Sequence, residues 1–282
     1  MINTTEILKK YDLKLTKSLG QNFLTDINII RKIVGAADIC KSDLVVEIGP
    51  GIGVMTAELA ERAGKVVAVE IDKHLMPPLA ETLNAFDNII LLNADIMKIE
   101  ISEVIQGWVG PLKVVSNLPY YITTPIVMKF LESSIPWDTL IFMVQKEVAQ
   151  RMAASPGTKD YSALSLAVRY YSDPMLCFHV SKNCFVPKPD VDSAVVKLKK
   201  RNVNRFENIK KDDFFKTVRA SFSQRRKTLL NSLGAQPWFP GGKERLKRIL
   251  GEAGIQESIR GEALSIEQFA FLAGKIFYDD PL

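Results

Sequence analysis

The sequence predicts an open α/β sheet finished by an antiparallel hairpin, followed by a small all-α domain. Through the middle of the chain, continuous apolar runs alternate with helix-patterned segments. Two strand-like runs then flank a proline-rich turn, and after Lys200 the sequence becomes charged and helix-patterned. We therefore expect one domain over residues 1–200 and a second over residues 201–282.

Five apolar runs predict the strands of the sheet: LVVEIG, KVVAVEID, NIILLNAD, LKVVSN and TLIFMV. Continuous apolar runs of this length are typical of parallel strands that are buried on both faces. After the first run, VMTAELAERAG carries apolar positions at helical spacing and ends in glycine, which commonly stops a helix. The series is therefore βαβ, with helices on both faces of the sheet.

The last strands belong to a hairpin. The segment MLCFHVSKNCFVPKPDVDSAVVKLKK contains two strand-like runs around a turn rich in proline, rather than another βαβ unit. A parallel sheet finished in this way resembles the Rossmann-like, class I S-adenosylmethionine-dependent methyltransferase fold. Because one fold supports many activities, this likeness alone does not fix the function.

The second domain is predicted to be helical and basic. RNVNRFENIKKDD predicts a linker, and helices are predicted over FFKTVRASFSQRRKTLLNSL, near Lys243–Leu250 and over Ser265–Phe277. Residues 201–282 hold 15 Lys/Arg against 10 Asp/Glu, whereas residues 1–200 hold 22 of each, so this domain accounts for the net charge of +5. Such a surface suits a phosphate backbone, although a solvated helix face explains it equally well. The candidate RNA-binding residues are Arg225, Arg226 and Lys227, with the amino-terminal lysines Lys9, Lys10, Lys14 and Lys17 in support.

The composition disfavours several classes of protein. No run of about 18 apolar residues predicts a transmembrane helix, and residues 1–20 lack the apolar core of an export signal. The three cysteines have no CxxC spacing, which suits a protein of the reducing cytoplasm. His74 and His179 lie far apart in the sequence, so we expect neither a metal site nor a histidine-based triad.

A glycine-rich turn, EIGPGIG at residues 47–53, follows the first strand. Glycines let the backbone approach a ligand closely, although tight strand–helix connections use them too, and the spacing is not the G-x-G-x-x-G of dinucleotide-binding proteins. Glu70 ends the second strand, where a carboxylate can accept both ribose hydroxyls, and Asp95 follows the third, where it can meet an adenine amino group. Either acid alone is equally explained as a helix cap. Together they predict an adenosine-bearing cofactor, and S-adenosylmethionine rather than NAD.

The fourth strand ends in Asn117-Leu118-Pro119-Tyr120, beside the predicted cofactor. The exocyclic amine of adenine is a poor nucleophile, because its lone pair is delocalised into the ring. The amide oxygen of Asn117 and the carbonyl of Leu118 or Pro119 can each accept one N–H of that amine, which points its lone pair at the sulfonium methyl. Pro119 stiffens the turn, and Tyr120 offers a face on which the base stacks. In isolation, an ordinary Asn-Pro turn with a packed tyrosine explains the same residues.

These motifs together resemble a known family. NLPY matches the (N/D/S)-x-P-(Y/F/W) motif of amino-directed methyltransferases, and the chain also carries GQNFL, EIGPGIG, VEID, QKEVAQRM, YSALSL and FVPKPDVDSAVV. Over most of the first 200 residues they resemble, in order, the KsgA family of ribosomal RNA adenine dimethyltransferases. The resemblance implies an enzyme of ribosome biogenesis, and the sequence itself leads us to expect a cytoplasmic, metal-free monomer, since nothing in it demands a dimer. Such an enzyme would place two methyl groups on N6 of each of two adjacent adenines, in the 3′-terminal hairpin loop of 16S rRNA within an immature small subunit.

The resemblance also implies roles for individual residues. It assigns the cofactor to one set: Gln21, Asn22, Leu24, Gly49, Gly51, Glu70, Ile71, Asp95, Ile96 and Asn117. In that set Gln21, Asn22 and Leu24 line the methionine end with Gly49, and Ile71 packs on the cofactor adenine. Catalysis is assigned to residues 117–120, with Phe185 stacking on the target base opposite Tyr120. From the residues alone, Phe185 is equally interpreted as a core residue of the hairpin.

Three alternatives remain open from the sequence. The related dimethylases of large-subunit RNA carry an Asn-Ile-Pro-Tyr variant and usually different central motifs. DNA adenine methylases usually carry Asp/Asn-Pro-Pro-Tyr and a separate recognition region. A non-catalytic RNA-binding or assembly factor with the same fold would not need Asn117, Glu70 and Asp95, all of which are present.

Overall fold

The computed structural model describes residues 4–11, 21–201, 206, 208–224, 226–239 and 241–279. The chain divides into two compact units, Met1–Ala149 with Asp173–Lys200, and Gln150–Ser172 with Arg201–Leu282. The predicted boundary after residue 200 coincides with one break between these units. Residues 150–172, however, were expected in the first domain and belong to the second unit.

Nine strands occur in the described residues: β1 (Phe23–Leu24), β2 (Leu44–Ile48), β3 (Lys65–Glu70), β4 (Ile89–Asn93), β5 (Leu112–Asn117), β6 (Trp137–Gln145), β7 (Ser172–Val180), β8 (Phe185–Val186) and β9 (Ser193–Lys200). Seven of them form one sheet in the order β4-β3-β2-β5-β6-β9-β7. β2 pairs in parallel with β3 and β5, β3 with β4, and β5 with β6, whereas β9 runs antiparallel to β6. The predicted fold class, with its five parallel strands and terminal hairpin, is confirmed.

Burial follows the position of each strand in this sheet. Every residue of the central strand β2 is buried, whereas four of the five residues of the edge strand β4 are only half-buried. The helices up to residue 153 are α1 (Thr4–Lys10), α2 (Ile27–Ala36), α3 (Val54–Ala60), α4 (Met76–Thr82), α5 (Ile101–Val104), α6 (Thr123–Glu132) and α7 (Lys146–Ala153). Helix α2 packs Ile30, Ile33 and Val34 into the core cluster that contains Val45 of β2. Each such aliphatic side chain contributes about 1.5–3 kcal/mol when fully buried.

A second, two-stranded sheet was not expected from the sequence. Strands β1 and β8 pair antiparallel, with Phe23 opposite Val186 and Leu24 opposite Phe185. The pairing joins the segment after the amino-terminal helix to the turn of the hairpin. It holds residues 21–24 in place beside the end of β2, where they line the cavity described below.

The second unit is helical and contains α8 (Ala163–Tyr171), α9 (Lys211–Phe222), α10 (Leu229–Ser232), α11 (Gly242–Glu252) and α12 (Ile266–Phe277). The long helix predicted over residues 214–233 ends at Phe222 and resumes at Leu229. An aromatic cluster explains why residues 150–172 belong here, since the Tyr170 ring lies 5.0 Å from both Phe214 and Phe215, centroid to centroid. Aromatic pairs at such distances add about 0.5–1.5 kcal/mol beyond the area they bury.

Candidate active site

A cavity opens at the carboxyl ends of the parallel strands of the first unit. It contains about 1120 Å³ of empty space, part of it open to solvent. The predicted cofactor residues all line it: Gln21, Asn22, Leu24, Gly49, Gly51, Glu70, Ile71, Asp95, Ile96 and Asn117. Leu118, Pro119 and Tyr120 line it as well. The topology brings the residues after β2, β3, β4 and β5 together, because the carboxyl ends of parallel strands meet at one edge of a sheet, and the β1–β8 pairing adds residues 21–24.

The glycine turn between β2 and α3 needs its glycines for two different reasons. Gly49 and Gly51 have φ of 66° and 63°, in the left-handed region that side-chain-bearing residues rarely adopt. A Cβ on Gly51 would lie 2.8 Å from the ring of Phe23, whereas a Cβ on Gly49 would meet no atom within 4 Å. Both positions therefore favour glycine because of their φ, and Gly51 does so also because of its close approach to Phe23.

Glu70 holds this turn against the next strand. Its side chain is buried, and its carboxylate accepts hydrogen bonds from the backbone N–H of Gly51 at 3.3 Å and of Asp72 at 2.9 Å. Burial raises the pKa of Glu70, while the two N–H groups oppose that shift. Two oxygens offer about four acceptor positions, so this carboxylate can still accept the paired hydroxyls of a ribose.

Asp95 and Ile71 lie on the same cavity wall, after β4 and β3. One carboxylate oxygen of Asp95 accepts from the backbone N–H of Met97 at 2.9 Å, and the other lies 3.7 Å from the Lys98 ammonium. Ile71 is 48% exposed, which is unusual for an aliphatic residue directly after a buried strand. An exposed aliphatic side chain beside a carboxylate suits the face and the amino edge of an adenine ring.

Asn117 is held in one orientation by the segment that β1 anchors. Its side-chain N–H donates to the backbone carbonyl of Asn22 at 3.1 Å. One N–H of the amide is thereby used, and the amide oxygen accepts no hydrogen bond from the described residues. An amide fixed in this way presents its oxygen as a free acceptor at the cavity wall.

The structure also distinguishes the two backbone carbonyls, of Leu118 and Pro119, that the sequence left as alternatives for the second acceptor. The Pro119 carbonyl already accepts from the Thr123 hydroxyl at 2.9 Å and from the Ile122 N–H at 3.3 Å. The Leu118 carbonyl accepts no hydrogen bond from any residue that the structure describes. Leu118 is therefore the better candidate for the second acceptor.

Two tyrosines stand side by side at the cavity. The hydroxyl of Tyr120 lies 2.7 Å from the hydroxyl of Ser193 on β9, which fixes the half-buried ring, and burial raises the pKa of Tyr120. Tyr121 also lines the cavity and is 57% exposed. Sequence reasoning selected Tyr120 through its motif but missed Tyr121, because an exposed and a buried tyrosine look alike in a sequence.

Phe185 does not line the cavity. It lies in β8, is only 3% exposed, and packs in the core cluster with Val115 and Ile141. In this structure its ring offers no face to a base, in agreement with its interpretation as a core residue of the hairpin. The cause is its pairing with Leu24, which carries the ring inward.

The charges of the residues that line the cavity indicate which cofactor the cavity fits. Three carboxyl side chains line it, those of Glu47, Glu70 and Asp95, and no Lys, Arg or His is among its described lining residues. S-adenosylmethionine carries a sulfonium and an ammonium against a single carboxylate, whereas NAD carries a pyrophosphate. An acidic cavity favours the cation and disfavours the anion, so the residues present fit S-adenosylmethionine. Glu47 was given no role from the sequence, although a charged residue within a buried apolar strand is a usable signal.

The predicted RNA-binding residues are only partly described. Arg226 and Lys227 are exposed in the second unit and make no ion pair with a described residue, while Arg225 lies outside the described residues. Lys9 and Lys10 are exposed on α1, where Lys10 pairs with Glu81. Lys14 and Lys17 also lie outside the described residues.

The sheet order, the antiparallel end strand and the acidic cavity define a class I S-adenosylmethionine-dependent methyltransferase. Two solved structures share this fold over most of the chain. A dimethyladenosine transferase from Plasmodium falciparum is 26% identical with a TM-score of 0.76, covering 89% of this chain and 95% of its own. The 23S rRNA methyltransferase ErmE is 28% identical with a TM-score of 0.71, covering 90% of this chain and 99% of its own.

The chain belongs to the ribosomal RNA adenine dimethylase family, whose model matches residues 12–272. Two curated relatives are both named ribosomal RNA small subunit methyltransferase A. That of Clostridioides difficile strain 630 is 52% identical over 97% of this chain and 94% of its own length. That of Lachnoclostridium phytofermentans is 50% identical over 96% of this chain and 94% of its own. The family predicted from the sequence motifs is confirmed.

Proposed function

We propose that this chain transfers methyl groups from S-adenosylmethionine to N6 of two adjacent adenines in the 3′-terminal hairpin loop of 16S rRNA, giving N6,N6-dimethyladenosines during ribosome biogenesis. The choice of the small subunit is supported by relatives of that name at about half identity over nearly the whole chain. The reaction itself is supported by one observation above all. At the end of β5, the Asn117 amide oxygen and the Leu118 carbonyl accept no hydrogen bond from the described residues and stand beside an acidic cavity.

Asn117 and Leu118 act on the adenine amine through hydrogen bonds. Each oxygen accepts one N–H, which draws the nitrogen toward tetrahedral geometry and frees its lone pair from the ring. The bound cofactor supplies an electrophilic methyl carbon. Tyr120 stacks on the base, and Glu70 holds the ribose of the cofactor through its remaining acceptor positions. No strong base is needed, because the amine loses its proton only after it has become cationic.

The second transfer to the same nitrogen changes the demands on this pair. A monomethylated amine has one N–H left, so only one of the two acceptors can be used. The two transfers therefore depend differently on Asn117, and the ratio of monomethylated to dimethylated product reports on that dependence. A site that relied on both acceptors throughout would stop at one methyl group.

RNA binding is assigned to the basic residues of the second unit, Arg226 and Lys227 together with Arg225, and to the amino-terminal lysines. Phosphate contacts by such residues position a nucleic acid without reading its sequence. We place the protein in the cytoplasm as a monomer that acts on an immature subunit. The three cysteines are unpaired, and no helix of the described residues has the length and apolarity to cross a bilayer.

The test is methyl transfer from labelled S-adenosylmethionine to isolated immature small subunits and, separately, to immature large subunits. We expect label on small-subunit RNA, at two neighbouring adenines. Exclusive labelling of large-subunit RNA would instead assign the activity of the ErmE-type relatives. No labelling of either would favour an assembly factor without catalysis.

A substitution then connects the activity to the site. Asn117→Ala should lower kcat by about 10²–10³, the usual effect of removing one well-placed hydrogen-bonding group from a reaction centre, while cofactor affinity changes little. The matched control is Asn183→Ala, since Asn183 is an exposed asparagine of the same unit that does not line the cavity. Unchanged turnover in Asn117→Ala would remove the proposed amine acceptor.

A further inference from the structure

Glu47 is a buried carboxyl group that the reaction described above does not use. It lies in β2, two residues before Gly49, and is 1% exposed. It lines the cavity, and the hydroxyl of Thr56 on α3 lies near enough to lower its pKa, yet neither its Oε2 nor that hydroxyl makes a well-aligned hydrogen bond with a described residue. Buried polar atoms are almost always hydrogen-bonded, because an unpaired one costs about 1–3 kcal/mol. A buried carboxyl at a cavity wall, with only a poorly aligned hydroxyl beside it, therefore indicates a ligand.

No cation in the described part of the chain compensates this carboxyl. The strand β3 on one side contributes Glu70, whose negative charge opposes ionisation of Glu47. The charged side chains of the other neighbouring elements are engaged elsewhere: Lys113 with Asp43, Arg31 with Glu58, and Lys32 over the ring of Phe178. Asp95, the remaining charged group at the cavity, is also an acid. Among the described residues, none therefore supplies a positive charge to Glu47, whereas a cationic ligand in the cavity would.

We propose that Glu47 is a neutral acid in the free protein and ionises when a cationic group of the cofactor binds, so that binding releases one proton. The proposal rests on the proposed function through the identity of the cofactor. The O–H bond of Glu47 breaks, its proton passes to solvent, and the carboxylate pairs with the ammonium or sulfonium of the ligand. Glu47 is thus a cofactor-positioning residue that links cofactor affinity to pH.

The protonation state expected from burial agrees with this geometry. Burial raises the pKa of Glu47 to about 8, while the interaction with the nearby Thr56 hydroxyl opposes this shift and the charge of Glu70 adds to it. At pH 6.5 nearly every molecule of free protein therefore carries this proton. Binding of a cation should release about one proton per ligand, and affinity should rise by up to tenfold between pH 5.5 and pH 6.5. Both values lie below the pKa of an α-amino group, so the ligand ammonium does not itself titrate there.

Isothermal titration calorimetry at pH 6.5, in buffers of different ionisation enthalpy, counts the protons released. The ligands are S-adenosylmethionine, S-adenosylhomocysteine and 5′-methylthioadenosine, the last of which keeps adenine, ribose and sulfur but lacks both cations. We expect about one proton for S-adenosylmethionine and none for 5′-methylthioadenosine. Release with S-adenosylhomocysteine as well identifies the ammonium as the partner, and its absence identifies the sulfonium. Either result supports the proposal.

Glu47→Gln should bind S-adenosylmethionine without proton release and with no pH dependence between pH 5.5 and pH 6.5. Glu58→Gln is the matched control, because it removes a carboxylate that pairs with Arg31 on α2 and does not line the cavity; it should release protons like the wild type. Equal release with 5′-methylthioadenosine would overturn the proposal, since Glu70 or another group near the ribose would then be the source. This comparison uses wild-type protein, so it decides the question even if Glu47→Gln fails to fold. Binding of S-adenosylmethionine without release would overturn this inference alone, whereas no binding at all would also remove the proposed function.

Discussion

The buried carboxyl of Glu47 should make the ligand-free protein less stable as pH rises, and Glu47→Gln should remove that dependence. The pKa of Glu47 is about 8 in the folded protein, against 4.5 for a glutamate side chain in water. A raised pKa means that the folded state holds the proton more tightly than the unfolded state. The associated stability is therefore complete below about pH 4.5, is lost progressively up to pH 8, and is constant above that.

The loss of unfolding free energy follows from the difference between the folded and unfolded pKa of Glu47. Each unit of pKa difference corresponds to about 1.4 kcal/mol, so the total loss is about 5 kcal/mol. Relative to Glu47→Gln, the wild type should lose about 1.4 kcal/mol of unfolding free energy per pH unit between pH 5 and pH 8. Such a loss is a large part of the 5–15 kcal/mol that typical domains have in total. Saturation with S-adenosylmethionine should reduce the difference, since the ligand compensates the carboxylate.

Urea unfolding followed by tryptophan fluorescence measures this difference. A Trp238→Phe background confines the signal to the first unit, because Trp108 and Trp137 are the other tryptophans of the chain and both lie there. Groups other than Glu47 titrate in both proteins, so their contributions to the pH dependence of the unfolding free energy cancel in the comparison. Glu58→Gln keeps Glu47 and should follow the wild-type dependence on pH. Parallel stability curves for wild type and Glu47→Gln across this range would show that Glu47 is already ionised or already paired, and would refute the reasoning.

Three further predictions concern the core, the base and the RNA. Lys113→Met should lower the unfolding free energy by roughly 3–5 kcal/mol, because it leaves the buried Asp43, 2.8 Å away, without its cation. Lys199→Met, which removes a largely exposed pair with Asp138, should change the unfolding free energy by less than about 1 kcal/mol. Urea unfolding compares the two variants, and equal effects would contradict the role of burial. Tyr120→Ala should lower kcat/KM for RNA methylation roughly ten- to hundredfold through weaker stacking, while Tyr120→Phe, which keeps the ring, should stay close to wild type; a similar loss in both would assign the effect to the hydroxyl. Neutralising Arg226 and Lys227 should weaken RNA binding. The slope of the logarithm of the binding constant against the logarithm of the salt concentration should become shallower by about 0.7–0.9 for each phosphate contact that is lost. An unaltered slope would mean that the RNA binds elsewhere.

The sheet and the position of its cavity could be predicted because they depend on local signals. A strand buried on both faces is mostly apolar, so β2, β3 and β5 can be recognised in the sequence as nearly continuous apolar runs. Strands joined by βαβ crossovers run parallel, so all their carboxyl ends lie at the same edge of the sheet. The acids after those ends were therefore predictable neighbours, although they lie far apart in the chain.

The assignment of residues 150–172 to the second unit was not predictable in the same way. Helix α8 has an ordinary amphipathic pattern, which shows that one face is buried but not against what. Aromatic contacts determine which segment covers residues 150–172. Tyr170 contacts Phe214 and Phe215, and Tyr161 contacts Phe222. A hydrophobic pattern identifies a face to be buried and does not identify the segment that covers it.

By itself, the sequence determined the fold class, the family and the composition of the site, because apolar periodicity and motif spacing are properties of neighbouring residues. Only the tertiary structure decided which way individual side chains point. It turned Phe185 into the core through its pairing with Leu24. It occupied the Pro119 carbonyl rather than that of Leu118, and it placed Glu47 at the cavity wall with no described cation beside it. In a strand that is buried on both faces, the residues that face one side of the sheet are as apolar as those that face the other. The environment of each side chain is therefore set by contacts that form only when distant segments meet.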